Sequence, residues 1–402
     1  MGLLRNVRLL LWAGFLHDFR LYLPIQILYF AHVTGSYAAG MSIISVIMLS
    51  SALLEVPTGV WSDRVGRRWT AVGGAVASAA SVMIYALGGH IIEGAYWMLV
   101  LGAVFEGLTR ALFSGNNDAL LYDTLAEAGQ LEHLQEYMGQ MGNMQQLGAA
   151  ICAVLGGIAA FFSFPLAMWL SVFPQLLLIG MMLMLVEPRV REHVDGNIYR
   201  HLREATAQIV RSPRLRALSA ASILRFAVGE AAFVFRVTFL EMLWPLWAVG
   251  FARVVSHLTA AISFRFSGRI IRRYGEFLPL AGSVIYSETV NLLALVFAGV
   301  LSPLVMGTTS IFFGVQQVAM SGLMQREFSD RQRATMGSIT AFAGSLVFAV
   351  FSTFLGLFAD RFGVVAALVL ASVISFVRLP LYVYVFRSTT ARDVTEIKAA
   401  EA

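Results

Sequence analysis

The chain of 402 residues has one cysteine, Cys152, ten prolines, a single lysine, Lys398, and charge on only 13% of its residues. One thiol excludes an intramolecular disulfide and a cysteine-rich metal site. Soluble domains carry roughly 25% charged residues, so a surface this poor in charge excludes an ordinary soluble protein. No glycine-rich loop ending in Lys-Ser or Lys-Thr occurs, and no His-Glu-x-x-His, which leaves an ATP-driven pump and a zinc enzyme without support. No cofactor is expected. Met1-Gly2-Leu3-Leu4-Arg5-Asn6 leads into an apolar run without the small-residue cleavage pattern of a signal peptide. Asn6 stands where a myristoylation motif needs Ser or Thr.

What remains is strongly apolar, with 58% hydrophobic residues and a mean hydropathy of +0.73. Apolar blocks fall at about 9–31, 38–61, 69–89, 95–115, 138–162, 165–186, 216–240, 243–264, 277–299, 302–325, 335–358 and 364–386. Each is near the 20 residues that cross a bilayer as helix, about twice the length of a barrel strand. These blocks are numbered spans 1 to 12. They predict an all-α integral membrane protein with both termini on one side.

The basic residues fix the side. The termini and even-numbered loops hold Arg5, Arg8, Arg64, Arg67, Arg68, seven arginines between Arg189 and Arg216, Arg265, Arg269, Arg272, Arg273, Arg326, Arg331, Arg333, Arg387, Arg392 and Lys398, whereas the opposite loops hold Arg361 alone. By the positive-inside rule both termini are expected in the cytoplasm, in a bacterial inner membrane. The net charge of +5 is thus read as topology and not as a nucleic-acid footprint. The loop between spans 4 and 5 is acidic against this trend, with Asp118, Asp123, Glu127, Glu132 and Glu136.

The longest polar stretch, Glu187 to Pro213, divides the spans six and six. It predicts an N-terminal bundle over 1–186, a basic linker over 187–213, a C-terminal bundle over 214–390 and a tail over 391–402. Within the linker, Ile198, Leu202, Ala205 and Ile209 recur at helical spacing while Arg200, Arg203 and Arg211 take other faces, as in a helix lying on the cytoplasmic leaflet.

Between spans 2 and 3 lies Gly59-Val60-Trp61-Ser62-Asp63-Arg64-Val65-Gly66-Arg67-Arg68. Glycines permit a tight turn and close helix approach, and Asp63 suits a neighbouring helix N-terminus. The spacing Gly-x-x-x-z-Arg-x-Gly returns at Gly268 to Gly275 after span 8 and at Gly356 to Gly363 after span 11, where z is Arg272 and Asp360. Three copies at equivalent helix ends indicate a chain built from three-helix repeats, as in many transporters.

This run, its repeats, the helix count and the central basic loop together resemble the major facilitator superfamily of secondary transporters. The resemblance implies twelve transmembrane helices in two pseudo-symmetric six-helix bundles that rock around a midplane site. It also implies a cytoplasmic latch, in which Asp63 meets the start of span 11 near Thr335 to Ser338 and Arg67 pairs with an acid at the end of span 4, best represented by Asp123. Arg331-Gln332-Arg333-Ala334-Thr335 looks like the start of that helix in drug-exporting members. Gly139, Gly148, Gly156 and Gly157 in span 5 follow the superfamily's antiporter series, with Cys152 and Ala153 replacing its Gly-Pro; the same small residues also serve plain helix packing. The superfamily's Arg-x-x-Gln-Gly series in span 4 aligns with Ala103 to Gly107, so its arginine is absent. Arg110 stands one turn beyond Glu106 in the favoured orientation of an i,i+4 pair.

Charge inside a span is costly and marks candidate function. Asp18 is the first candidate for a carboxylate that takes and releases a proton, ahead of Glu230 and Glu106. Arg20, Arg110, Arg225, Arg236 and Arg253 are candidates for lining the substrate cavity. Arg225 and Arg236 share one face of span 7 roughly 16 Å apart, where they either attract an anionic group or pair with Glu230 and Glu288. Arg378 is a further intramembrane charge, Glu55 reads as structural, and His17 and His257 stand alone. The expected function is proton-coupled export of a small, partly apolar organic compound, by a protein that is not an enzyme; its oligomeric state is left open, with a monomer favoured. Symport of an anionic metabolite is the alternative, and a membrane sensor or lipid-handling protein the alternative of another class.

Overall fold

The computed structural model describes residues 2–90, 94–188, 206–327 and 333–387, and every regular element among them is helical. Among the described residues ten helices are long and apolar enough to cross a membrane: Tyr37–Val65, Arg67–Gly88, Ala95–Glu127, Leu131–Phe162, Phe164–Leu183, Pro213–Leu243, Leu246–Tyr274, Phe277–Val296, Gly337–Phe362 and Val364–Arg387. They are spans 2 to 9, 11 and 12. The other two expected spans are present but interrupted. Span 1 runs over Gly2–Asp18, breaks, makes a 3-10 turn at Leu23–Ile25 and resumes over Gln26–Thr34. Span 10 consists of Ser302–Thr308, a 3-10 segment Thr309–Phe312 and Phe313–Glu327.

Local sequence explains most helix ends. Ser36 and Ser163 cap spans 2 and 6, accepting from the amides of Ala39 at 3.2 Å and Leu166 at 3.1 Å, each contributing about 1 kcal/mol. Gly66 turns span 2 into span 3 with φ 107° and ψ 157°, and Gly363 turns span 11 into span 12 with φ 89° and ψ 162°. Side chains with a Cβ rarely adopt this backbone. Both are the last glycine of the repeated Gly-x-x-x-z-Arg-x-Gly run, and the third copy ends on Gly275 at φ 70°. In span 1 the break coincides with Pro24, which has no amide to donate.

The chain forms two compact units, Met1–Val194 with Leu240–Val254, and Asp195–Phe239 with Val255–Ala402. The junction of spans 7 and 8 therefore clusters with the first unit. The first core gathers Val7, Leu10, Ala71, Leu120, Leu125 and Met182 from spans 1, 3 and 6 and the helix Asn116–Glu127. The second gathers Leu218, Leu280, Met320, Leu323, Tyr382 and Val385 from spans 7, 9, 10 and 12. Most of the expected linker helix and the whole tail, at 189–205 and 388–402, lie outside the described residues; 206–211 is helical.

Lipid tails are as apolar as these side chains, so close packing holds the helices together more than the hydrophobic effect does. Span 5 meets span 1 backbone to backbone. A Cβ at Gly148 would lie 2.6 Å from the Phe15 carbonyl oxygen, and one at Gly156 would collide with that of Leu21. Gly157 faces the Leu246 carbonyl, and Gly250 packs on Ala153, which the superfamily series would make a proline. Gly139 faces open space, so packing explains three of the four glycines and not the first.

Candidate functional site

The most polar point of the first unit is Glu106, which is fully buried in the middle of span 4. Gly107 allows this burial, because any Cβ there would sit 2.5 Å from that of Ser50 and block the approach of span 2. A buried carboxylate is tolerable only when paired and fully hydrogen-bonded. Glu106 Oε1 faces Arg110 Nη2 at 3.2 Å and Arg20 Nη1 at 3.5 Å. Oε2 accepts from Tyr85 at 3.0 Å, Tyr22 at 3.2 Å and Gln26 Nε2 at 3.3 Å. Arg20 and Tyr22 come from the break in span 1, Gln26 from the start of its second half and Tyr85 from span 3. The break thus delivers three polar side chains to one carboxylate.

Asp18, the last residue before that break, bonds to His17 Nδ1 at 2.9 Å. The two histidines were read as isolated; His17 has a carboxylate beside it and stacks edge-on against Phe113 at 5.1 Å. The Asp18 side chain is 29% exposed, against 0% for Glu106. Arg20 and Arg110 lie within electrostatic range of it.

In the second unit Arg225 lies in the electrostatic field of Glu230, and Arg236 in that of Glu288. Glu288 binds Arg378 Nη2 at 2.8 Å, joining spans 9 and 12. Arg236 instead donates from Nη1 to the Met306 carbonyl at 3.2 Å and the Thr309 hydroxyl at 3.3 Å, at the break in span 10. Other side chains hold the same break. Thr259 donates to the Gly307 carbonyl at 3.1 Å, Ser287 to that of Thr309 at 3.2 Å, and Ser263 accepts from the Val315 amide at 3.1 Å. Span 10 has no proline beyond Pro303, so these bonds replace the helix ladder where it stops. Arg225 and Glu230 are half-buried on span 7, Arg253 and His257 half-buried on span 8, and Glu55 is exposed.

At the arginine-rich end of the first unit, Arg67 Nε lies 3.8 Å from Asp123, the acid expected, and its Nη2 3.8 Å from Asp63. Arg67 also donates to Ser62, which donates to Asn116, whose amide returns to the Arg67 carbonyl. The acid at the N-terminus of span 3 is not Asp63. Glu187 accepts from the Arg67 and Arg68 amides, both at 2.8 Å. Sequence reading passed over Glu187, Asn116, Tyr22, Gln26 and Tyr85, since each acts across a tertiary contact and only an intramembrane formal charge drew attention. Arg64 is exposed, and Gly59 has open space where a Cβ would be, so crowding imposes no glycine there. The side chains at 331–336, with the expected Thr335 contact, lie outside the described residues.

Comparison with known proteins gives one family. The profile of the Major Facilitator Superfamily matches residues 10–351. The inner membrane transport protein YajR of Escherichia coli is 30% identical over 137 residues, 34% of this chain and 28% of that protein's length. The fold is similar to the crystal structures of nucleoside transporter NupG, with TM-score 0.80 at 14% identity over 95% of this chain and 99% of that one. A bacterial homolog of the human lysosomal transporter Spinster gives TM-score 0.74 at 14% identity over 96% of both chains. The D-xylose-proton symporter gives TM-score 0.70 at 14% identity over 95% of this chain and 99% of that one.

Proposed function

Because this chain belongs to the Major Facilitator Superfamily of membrane transporters, we propose that it is a proton-coupled secondary transporter of a small organic compound, working by alternating access, with Asp18 taking and releasing the proton. The observation that carries this reading is the Asp18–His17 pair at the break of span 1, partly open to solvent and in the field of Arg20 and Arg110. A coupling carboxylate must reach water and must stand near a charge that changes partner. Asp18 meets both needs. Glu106 fails the first, being enclosed by five donors, and serves as the anchor that holds Arg20 and Arg110 in place. The likeness in fold to a proton symporter supports the coupling ion.

Two directions each have a supporting observation. Export by antiport rests on the span 5 series, whose Gly139 is not accounted for by packing. Symport of an anionic metabolite rests on the arginine excess around Glu106. Both termini in the cytoplasm, and the Arg67 cluster as a cytoplasmic latch, belong to the same proposal. The test uses proteoliposomes carrying the purified protein and a pH-sensitive dye in the lumen. Substrate-induced proton movement should be abolished in Asp18→Asn while substrate binding persists; a mutant that moves protons as the wild type does removes Asp18 from this role. The sign of the lumenal pH change separates antiport from symport.

A further inference from the structure

Two guanidinium groups converge on Glu106, and the donors of one of them are not all taken. Two guanidinium groups, Arg20 and Arg110, share a single carboxylate whose acceptor positions are already filled by both of them and by Tyr22, Gln26 and Tyr85. A guanidinium has five N–H donors and no acceptor. Arg110 spends one on Glu106; its Nη1 meets only the Met48 thioether at 3.9 Å, a weak acceptor, and its Nε has no hydrogen-bond partner among the described residues. Arg20 is 3% exposed and sealed in, whereas the Arg110 side chain is 34% exposed. One guanidinium of the pair is therefore exposed and short of hydrogen-bond acceptors among the described residues. Asp18 lies in the electrostatic field of both arginines, with His17 Nδ1 at 2.9 Å.

From this geometry we infer that Arg110 is a subsite for an anionic group of the transported compound, an organic carboxylate in particular. The oxygen takes the place of the Met48 sulfur beside Nη1, and the rest of the compound lies along the wall of the first unit. The planar guanidinium suits a carboxylate better than an ammonium does. A neutral amide of the same shape gains a hydrogen bond but no charge. The inference rests on the proposed proton coupling in one respect: a proton on Asp18 removes the negative charge that competes for Arg110, so proton and anion bind together. That is the symport sign.

The experiment measures thermal stabilisation of the purified full-length protein by matched pairs, benzoate against benzamide, phenylacetate against phenylacetamide, and nicotinate against nicotinamide, at constant ionic strength. A ligand bound to the folded state raises the melting temperature by mass action. At least one acid should stabilise where its amide does not. Arg110→Gln should weaken that acid by tenfold or more, Arg110→Lys should weaken it less, and Asp18→Asn should tighten it several-fold. Equal stabilisation by acid and amide in every pair, or no acid effect that depends on Arg110, overturns the subsite. The acid–amide contrast in the wild type needs no variant, so it stands even if Arg110→Gln does not fold. The two readings fail separately: Arg110-dependent acid binding with proton movement unchanged in Asp18→Asn sinks the coupling role and keeps the subsite, and loss of proton movement without acid preference does the reverse.

Discussion

Glu106 and Glu288 are both buried carboxylates inside membrane spans, one in each unit, and their surroundings differ in kind. Glu288 touches one cation, Arg378, at 2.8 Å, with Arg236 in its field and Ser372 and Asn291 as neutral donors, and Arg378 Nε is satisfied by the Ser375 carbonyl at 3.0 Å. Pair and backbone close on themselves. Glu106 has two cations and three neutral donors, gathered from spans 1, 3 and 4, and leaves one guanidinium partly exposed. A balanced pair ties two helices together. A cluster at a helix break, with one guanidinium exposed and short of acceptors, stays open to something that arrives.

The largest expected effect tests the closed pair. Arg378→Leu strands a buried carboxylate and should lower stability by about 3–5 kcal/mol, read from thermal or denaturant melts, whereas Glu288→Leu with Arg378→Leu should recover most of it. Transport should survive in the double variant. If it does not, the contrast between the units fails, because Glu288 would then share in function. Glu106→Gln should cost about 3 kcal/mol by leaving Arg20 and Arg110 without their anion, and unlike the first case no apolar replacement of its partners should restore substrate-driven proton flux.

A smaller effect is expected at the break of span 10. Arg236→Met removes two hydrogen bonds while the Met306 carbonyl keeps the Thr309 hydroxyl at 2.7 Å, a cost of about 1–2 kcal/mol; hydrogen exchange should rise locally at 306–315 with little change in spans 9 and 12. The smallest belongs to the arginine-rich turn. Glu187→Gln retains the shape of the acceptor at the start of span 3 but loses its charge, so melts should show a loss of about 0.5–1 kcal/mol. A change of several kcal/mol would make Glu187 a strut of the whole unit instead of a helix cap.

Much of this was legible in the sequence. Span length and hydropathy gave the helices, since a bilayer admits few alternatives. The Glu106–Arg110 contact followed from i,i+4 spacing on one helix, and the repeated run located Gly66, Gly275 and Gly363, three of the glycines that take positive φ. The remainder of the Glu106 cluster was hidden because Tyr22 and Gln26 lie 84 and 80 residues away in the chain, and uncharged donors give no signal in an apolar run. Arg236 shows the same limit. Its two obvious acids were near in sequence logic, yet its hydrogen bonds go to a carbonyl and a hydroxyl freed by an interruption that no proline announces.

The sequence by itself determined that this chain lies in a membrane as α-helices, how many there are, and which charges they carry, because helix length and the cost of charge in lipid are properties of local composition. Only the tertiary structure decided which charges are neutralised and which remain open. Span 1 breaks beside span 4, Gly107 and Gly156 let backbones approach, and the balance of two arginines on one buried carboxylate arises from that packing. Coulomb energy depends on distance and burial, and neither is set until the helices have met.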